Sequence, residues 1–382
     1  MKGINDMIHE KLVNDLTTSF SDYEIMEMVR VYSEFKQQKS HRTKLKINNR
    51  QVLMDDIETK RFLELMSRGN NITDADDRLW FEYTKTLLNM KPSKTPFANM
   101  SDKEIFVMVK NCLKKHHFPD KYAIEIVSLV IEYKTKGIIA PILLTGNPGI
   151  GKTEFGIMLA EILNKAYYIF SASEATSGNG ILGNSTTFKK PDCGEIMKGI
   201  IKTESAGVII ADEVDKGITG HETVVSPDAE LLEVFNNPNT RIITDNFLKY
   251  DYDISPVVFV ITGNDPEKII EPLKDRCYHI ELEDVTLENM IGIIYDYAGT
   301  HAGLFQGHVK YDKDSMVRAV TELYNGGVHS IRKHKDLLDS ALRGAYAYYL
   351  EHNDNYVTAH YDFYEPAIER LSSSQKKVGF VV

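Results

Sequence analysis

The chain has 382 residues, with 45 Lys and Arg against 55 Asp and Glu and a formal net charge of −10, a balance that argues against a general polyanion-coating protein while leaving room for a local basic groove. Hydrophobic residues make up 42%, yet no apolar run approaches the roughly 18 residues that cross a bilayer, so no membrane role is expected. Three widely spaced cysteines, Cys112, Cys193 and Cys277, suggest neither a disulfide framework nor a zinc site and fit a reducing cytoplasm.

From Met1 to about Pro119 the pattern is helical and carries no catalytic motif. Ser21 with Glu24, and Ser101 with Glu104, are spaced as capping boxes, each followed by apolar residues at helical intervals. Between the helices, Lys39, His41, Arg42, Lys44, Lys46 and Arg50 form a basic stretch. It reads as a solvated connector or as a contact for nucleic acid or an acidic partner. Trp80, Phe81 and Tyr83 are expected in the core or at a domain contact, and His116-His117 at the surface, since no further ligands stand at metal spacing.

An amphipathic helix from Asp120 to Tyr133 then leads into alternating strand-like and helix-like patterns, the signature of a parallel sheet with helices on both faces. The strand candidates are Ile138 to Leu144, Ala166 to Ser171, Val208 to Asp212, Val257 to Thr262 and Cys277 to Leu282. Their nearly unbroken apolar character fits burial on both faces. Between the first strand and the helix from Phe155 runs Thr145-Gly146-Asn147-Pro148-Gly149-Ile150-Gly151-Lys152-Thr153. This is a phosphate-binding loop by spacing and context: the glycines let backbone N–H groups approach a polyphosphate at a helix N-terminus. Lys152 would reach the β- and γ-phosphates of ATP, and Thr153 would place its hydroxyl on Mg²⁺.

The third strand ends in Asp212-Glu213. Asp212 would hold Mg²⁺ through a coordinated water, and Glu213 would polarise the attacking water. The fourth strand runs out into Gly263-Asn264, where Asn264 either orients that water or simply forms a turn. Arg276, at a helix end before the last strand, either reaches the nucleotide of a neighbouring subunit or pairs locally with Asp275 or Glu281. Ser226-Pro227 opens a helix to Phe235. Beyond Glu283 the pattern is three helices (Thr286 to Tyr297, Asp312 to Tyr324, Val328 to Leu350) and a short strand at Tyr356 to His360, with Ser372-Ser373-Ser374 loosening the C-terminus.

Phosphate loop, Asp-Glu strand, strand-end Asn, Arg276 and helical lid together resemble AAA+ ATPases. Asp212 to Lys216, SPDAELLEVFNNPN (226–239), FLKYDYDISPVVFVITGN (247–264), PLKDRCYHIEL (272–282) and LGNSTTFKKPDCGEIMKGI (182–200) resemble the ATPase module of the Lon protease family. The helical pattern marks residues 1–119 as an all-helical N-terminal domain, expected to choose the client and without a clear match to the family's β-rich substrate-recognition domain. The resemblance, which runs from about Asp120 to Leu371, implies an α/β nucleotide-binding domain (120–283) and a helical lid (284–371), followed by a tail (372–382). It implies a self-associating ring, a hexamer, with ATP between subunits and a protein client gripped by a pore loop at Phe188 and Lys189. His329 stands where the family usually carries its sensor Arg, with Arg332 one helical turn on as the substitute. The family's peptidase follows the lid, and only about 50 residues follow Arg332, so an ATPase rather than a protease is expected. Lys189-Lys190 and the basic stretch keep a nucleic-acid motor or loader open, and His329 keeps open a nucleotide-dependent assembly switch. The richness in Lys, Asn, Ile and Tyr hints at an AT-rich bacterial or phage genome and says nothing of function.

Overall fold

The computed structural model describes residues 45–46, 52–90, 97, 99–177, 180–184, 191–204, 206–216, 226–235, 241–301, 305, 307–352 and 355–376. Phe188 and Lys189, the capping pair Ser21 and Glu24, and all of the basic stretch except Leu45 and Lys46 lie outside the described residues. The strands in chain order are β1 (Leu45–Lys46), β2 (Val52–Met54), β3 (Ile142–Thr145), β4 (Tyr167–Ser171), β5 (Val208–Asp212), β6 (Ile242–Thr244), β7 (Asp251–Asp253), β8 (Val258–Thr262), β9 (Tyr278–Glu281), β10 (Val309–Tyr311) and β11 (Val357–Ala359).

All five expected strands are present and form one sheet in the order β4-β5-β8-β3-β9. The pairs β4/β5, β5/β8 and β3/β8 are parallel, with Ile169 beside Ile210, Ile210 beside Val260, and Leu144 beside Thr262. Every residue of β8, and all of β5 but its last, is buried, which is why these strands read as unbroken apolar runs. The sheet order sets the carboxyl ends of β5, β8 and β3 side by side. In open α/β sheets that end of the strands is where ligands bind.

Contacts divide the chain into two compact units, one of Met1–Ile105, Val127–Leu144 and Leu159–Ile280, the other of Phe106–Ile126, Thr145–Met158 and Glu281–Val382. In the first, the segment expected as a separate all-helical domain departs from that expectation in its described part. It contributes β2, which pairs antiparallel with β7 so that Val52 faces Tyr252, in a sheet of order β1-β2-β7-β6. The helices Asp56–Arg68 and Ala75–Asn89 send Phe62, Trp80 and Leu87 into one core with Leu143, Ile209 and Phe259. The physical reason is a buried indole: Trp80 is 0% exposed, its Nε1–H donates to Leu248 O at 2.9 Å, and its ring meets Tyr250 edge-on. A buried Trp needs that partner for its N–H. Trp80 and Phe81 are core residues, as expected, and Tyr83 lies partly buried against that core.

In the second unit the helices Leu287–His301, Lys313–Asn325 and Ile331–His352 appear close to their expected positions. They enclose Met290, Leu323, Leu337, Leu338 and Leu342. The expected strand β11 is present and pairs in parallel with β10, which the sequence had not suggested. The serine run does not loosen the chain: the helix Glu365–Lys376 continues through it. Ala367, Ile368 and Leu371 anchor that helix to the lid core, and exposed Ser373 caps its own turn by donating to Arg370 O at 2.9 Å. His116 and His117 are also not idle surface groups, for His116 pairs with Glu154 at 2.8 Å and His117 with Asp296 at 2.7 Å. No helix among the described residues is long and apolar enough to cross a membrane.

Candidate functional site

The phosphate loop is built on the end of β3 and the start of the helix Lys152–Ile162. Gly146 has φ 138°, and a Cβ there would lie 2.4 Å from Leu282 O, so the loop turns as it does because that residue has no side chain. Gly149 has φ 79°, and a Cβ would meet Ser330 Oγ at 2.3 Å. Its carbonyl accepts Ile331 N–H at 2.8 Å, which joins the loop to the first residue of the helix Ile331–His352. Lys152 is 8% exposed, and its ammonium donates to Gly146 O at 2.8 Å and Asn147 O at 2.9 Å. The loop is thus closed around the positive charge that phosphates require. Ile150 is buried, Pro148 is exposed, and Gly151 leads into the helix at φ 101°. Phe155, fully buried, is fixed by edge-on contacts with Phe118 and Tyr122 at 5.1 and 5.7 Å.

A polar chain runs from this loop into the lid. Asn147 Nδ2 donates to Asp284 Oδ1 at 2.8 Å, Asp284 Oδ2 lies 3.3 Å from His329 Nδ1, and the His329 ring stacks on Tyr324 at 4.5 Å. Tyr324 in turn donates to Val285 O at 2.9 Å. His329 is therefore the partner of a loop-holding carboxylate, while Arg332 is exposed on the first turn of its helix. Nearby His334 is buried, donates to Val328 O at 2.8 Å, and has its pKa lowered by burial, which keeps the imidazole neutral.

The other unit carries the acids. Asp212 closes β5, and Thr262, the last residue of the neighbouring β8, donates its hydroxyl to Asp212 Oδ1. Glu213 follows at φ 63°, a left-handed backbone that a non-glycine residue adopts only when its surroundings impose it. Here Thr262 imposes it from both of its oxygens: Glu213 N–H donates to Thr262 Oγ1 at 3.1 Å, and Val214 N–H to Thr262 O at 2.9 Å. The Glu213 carboxylate is partly exposed and pairs with Lys216 at 2.5 Å. At the end of β8, Gly263 N–H donates to Leu144 O at 3.0 Å, and Asp265 N–H to Asp215 Oδ2 at 3.1 Å. Half-buried Asn264 is held between those two anchors. Arg276 donates from Nη1 to Pro272 O at 2.6 Å across the end of the short helix Glu271–Lys274.

The Thr153 hydroxyl and the Asp212 carboxylate are hard oxygen donors of the kind Mg²⁺ prefers, and Lys152 with the loop amides suits a polyphosphate. Two residues that hold these groups had not been singled out from the sequence, Thr262 beside Asp212 and Asp284 beside the loop residue Asn147. Only Thr262 carried a signal, a polar residue closing an apolar strand just before Gly263-Asn264.

Residues 142–284 match the model of the ATPase family associated with various cellular activities, AAA. A Lon protease of Cytophaga hutchinsonii is 29% identical over 308 residues, 78% of this chain and 37% of that protein. A Lon protease of Mycoplasma pneumoniae is 28% identical over 76% of this chain and 37% of its own length. The mitochondrial Lon protease homolog of Saccharomyces cerevisiae is 33% identical over 50% of this chain and 18% of its own length. The chain thus spans little more than a third of the first two relatives. Residues 142–284 are a domain of the AAA ATPase family, and the chain is similar to Lon proteases over as much as 78% of its length.

Proposed function

We propose that the protein is an Mg²⁺-dependent ATPase that works as a ring, a hexamer, and uses hydrolysis to remodel or unfold a protein client. The observation that carries the reading is Glu213, held in a left-handed backbone by Thr262 of the adjacent strand. Strain of that kind, on an acid at the end of a parallel strand, is maintained where a carboxylate must point in one direction.

In this reading the amides of Gly149, Gly151 and Lys152 and the Lys152 ammonium bind the phosphates of ATP. Thr153 and Asp212 hold Mg²⁺, which when bound neutralises charge on the phosphates. Glu213 takes the proton of the attacking water, and Asn264 orients that water. Arg276 supplies positive charge to the nucleotide of the adjoining subunit, exchanging its bond to Pro272 O for that partner. Asn147, Asp284 and His329 tie the nucleotide loop to the lid, with Arg332 within one turn. Phe188 and Lys189 lie on the loop that grips the client, and the reducing cytoplasm is the expected compartment.

The test is Glu213→Gln. Loss of the general base is expected to lower turnover by about 10²- to 10⁴-fold while a fluorescent ATP analogue still binds with near-wild-type affinity. Turnover at the wild-type rate in that variant would overturn the assignment.

A further inference from the structure

The helix Asp102–Lys115 ends in a cap of uncommon composition. Phe118 N–H donates to Leu113 O at 2.9 Å and His117 N–H to Lys114 O at 3.2 Å, the bond pair that closes a helix on a left-handed residue. That residue is His117, at φ 58°. Glycine is favoured there because it has no Cβ to crowd the turn, so a histidine brings a backbone cost that its side chain has to offset. The side chain reaches the helix Leu287–His301, where His117 Nε2 lies 2.7 Å from Asp296 Oδ2. One turn earlier on that helix, a Cβ on Gly292 would meet the imidazole at 2.7 Å. The ring therefore rests in a notch that glycine leaves open.

The residues on either side of His117 turn to the phosphate loop instead. His116 Nδ1 lies 2.8 Å from Glu154 Oε1, and the Phe118 ring stands edge-on to Phe155 at 5.1 Å. Glu154 and Phe155 directly follow Thr153. A Cβ on Gly151 would lie 3.6 Å from the Phe118 ring and 3.5 Å from Ile331 Cδ1, so both side chains flank the loop. Three consecutive residues thus join the start of the nucleotide helix to the helix Leu287–His301. The circuit closes through that second helix. Its Met290 and Ile294 share one core with Leu337 and Leu338 of the helix Ile331–His352, whose first N–H is bonded to Gly149 O at 2.8 Å.

We propose that His117 is a positioning residue for nucleotide retention: through Asp296 it locks the helix Leu287–His301 to the segment that braces the phosphate loop. The proposal rests on the reading of residues 145–153 as the ATP-binding loop. His117 belongs neither to that loop nor to the acids assigned to the chemistry, so it governs how long nucleotide stays rather than the chemical step. His117→Asn keeps a residue that tolerates the left-handed cap while its shorter side chain gives up the bond to Asp296. Gly292→Ala leaves both partners in place and favours the helix, yet drives the imidazole out of its notch.

The experiment follows release of ADP carrying a methylanthraniloyl fluorophore by stopped flow in the presence of Mg²⁺, with ATP turnover measured alongside. The variants are His117→Asn, Asp296→Asn, the double variant, Gly292→Ala and, as a control on binding, Lys152→Ala. Because the pair is partly exposed, 24% for His117 and 65% for Asp296, release should quicken modestly, about threefold, in His117→Asn. Gly292→Ala should show the same acceleration, and kcat should stay close to wild type in both. The double variant should release no faster than Asp296→Asn alone, because both changes remove one bond. Unchanged release in His117→Asn and Gly292→Ala, with binding lost in Lys152→Ala, overturns the positioning role and leaves the nucleotide assignment standing. A fall in kcat as large as the gain in release rate would signal general disruption of the site and overturns it too. No binding by wild type, or undiminished binding by Lys152→Ala, overturns the nucleotide assignment and this inference with it.

Discussion

Asp245 is 1% exposed, yet its carboxylate serves three backbone amides, those of Gly194, Phe247 and Leu248. Burial raises its pKa from 3.8 to about 6, against the opposing pull of those amides. The folded chain therefore binds a proton there at pH values where the unfolded chain has already lost it. By linkage, the stability this group contributes falls as pH rises from about 4 to about 6. Asp245→Asn has no such proton to lose. The gap in melting temperature between wild type and Asp245→Asn should consequently shrink as pH is raised across that window, as followed by scanning calorimetry. A gap that widens would mean that the amides, not burial, dominate. The same residue accounts for part of what the sequence concealed. Asp212 and Glu213 announce themselves by ending an apolar strand, whereas Asp245 follows a polar Thr244 and precedes Asn246 and gains its importance from the distant Gly194 amide it accepts.

The helix Ala75–Asn89 shows at the element scale how a segment outside the matched family region is bound into its fold. Its Trp80 lends one N–H to Leu248 O in a fully buried setting. Trp80→Phe keeps most of the apolar surface and strands that carbonyl, which should cost ~1–3 kcal/mol. Urea unfolding should register the loss as a lower midpoint at unchanged slope. Elements of this kind divide cleanly by how well they could be read beforehand. The central strands β3, β5 and β8 were legible because burial on both faces leaves apolar runs such as ILLT, VIIAD and VFVIT. The strands β2, β6 and β7 were not, being three residues each, and β2 with β7 is stabilised by a partner 200 positions away, Val52 by Tyr252. The C-terminal helix misled for a local reason. Three serines weaken helix propensity, but Ala367, Ile368 and Leu371, earlier in the same helix, supply the burial that overrides it. At the site, the phosphate loop was legible as a contiguous motif. The network Asn147–Asp284–His329 was not, since its members are separated by 137 and 45 positions.

For the molecule as a whole, the role assigned to Arg276 requires a second copy of the chain. Light scattering on Glu213→Gln should report a large particle with ATP and Mg²⁺ and a smaller one without, and adding Arg276→Ala should weaken that dependence. A monomer under every condition would remove the trans role of Arg276. The pairing of the N-terminal segment with residues 242–253 bears on how the chain comes to be made at all. At roughly 5–20 residues per second, the ribosome takes on the order of ten to thirty seconds between Trp80 and the Leu248 carbonyl that receives its N–H, 168 positions later. Throughout that interval Phe62, Trp80, Phe81 and Leu87 have only their near neighbours to pack on, and lack Phe247, Tyr250, Tyr252 and Phe259 of the same core. A chaperone waiting at the exit tunnel, or slow codons placed before residue 80 rather than after it, would decide how much of the newly made protein escapes aggregation.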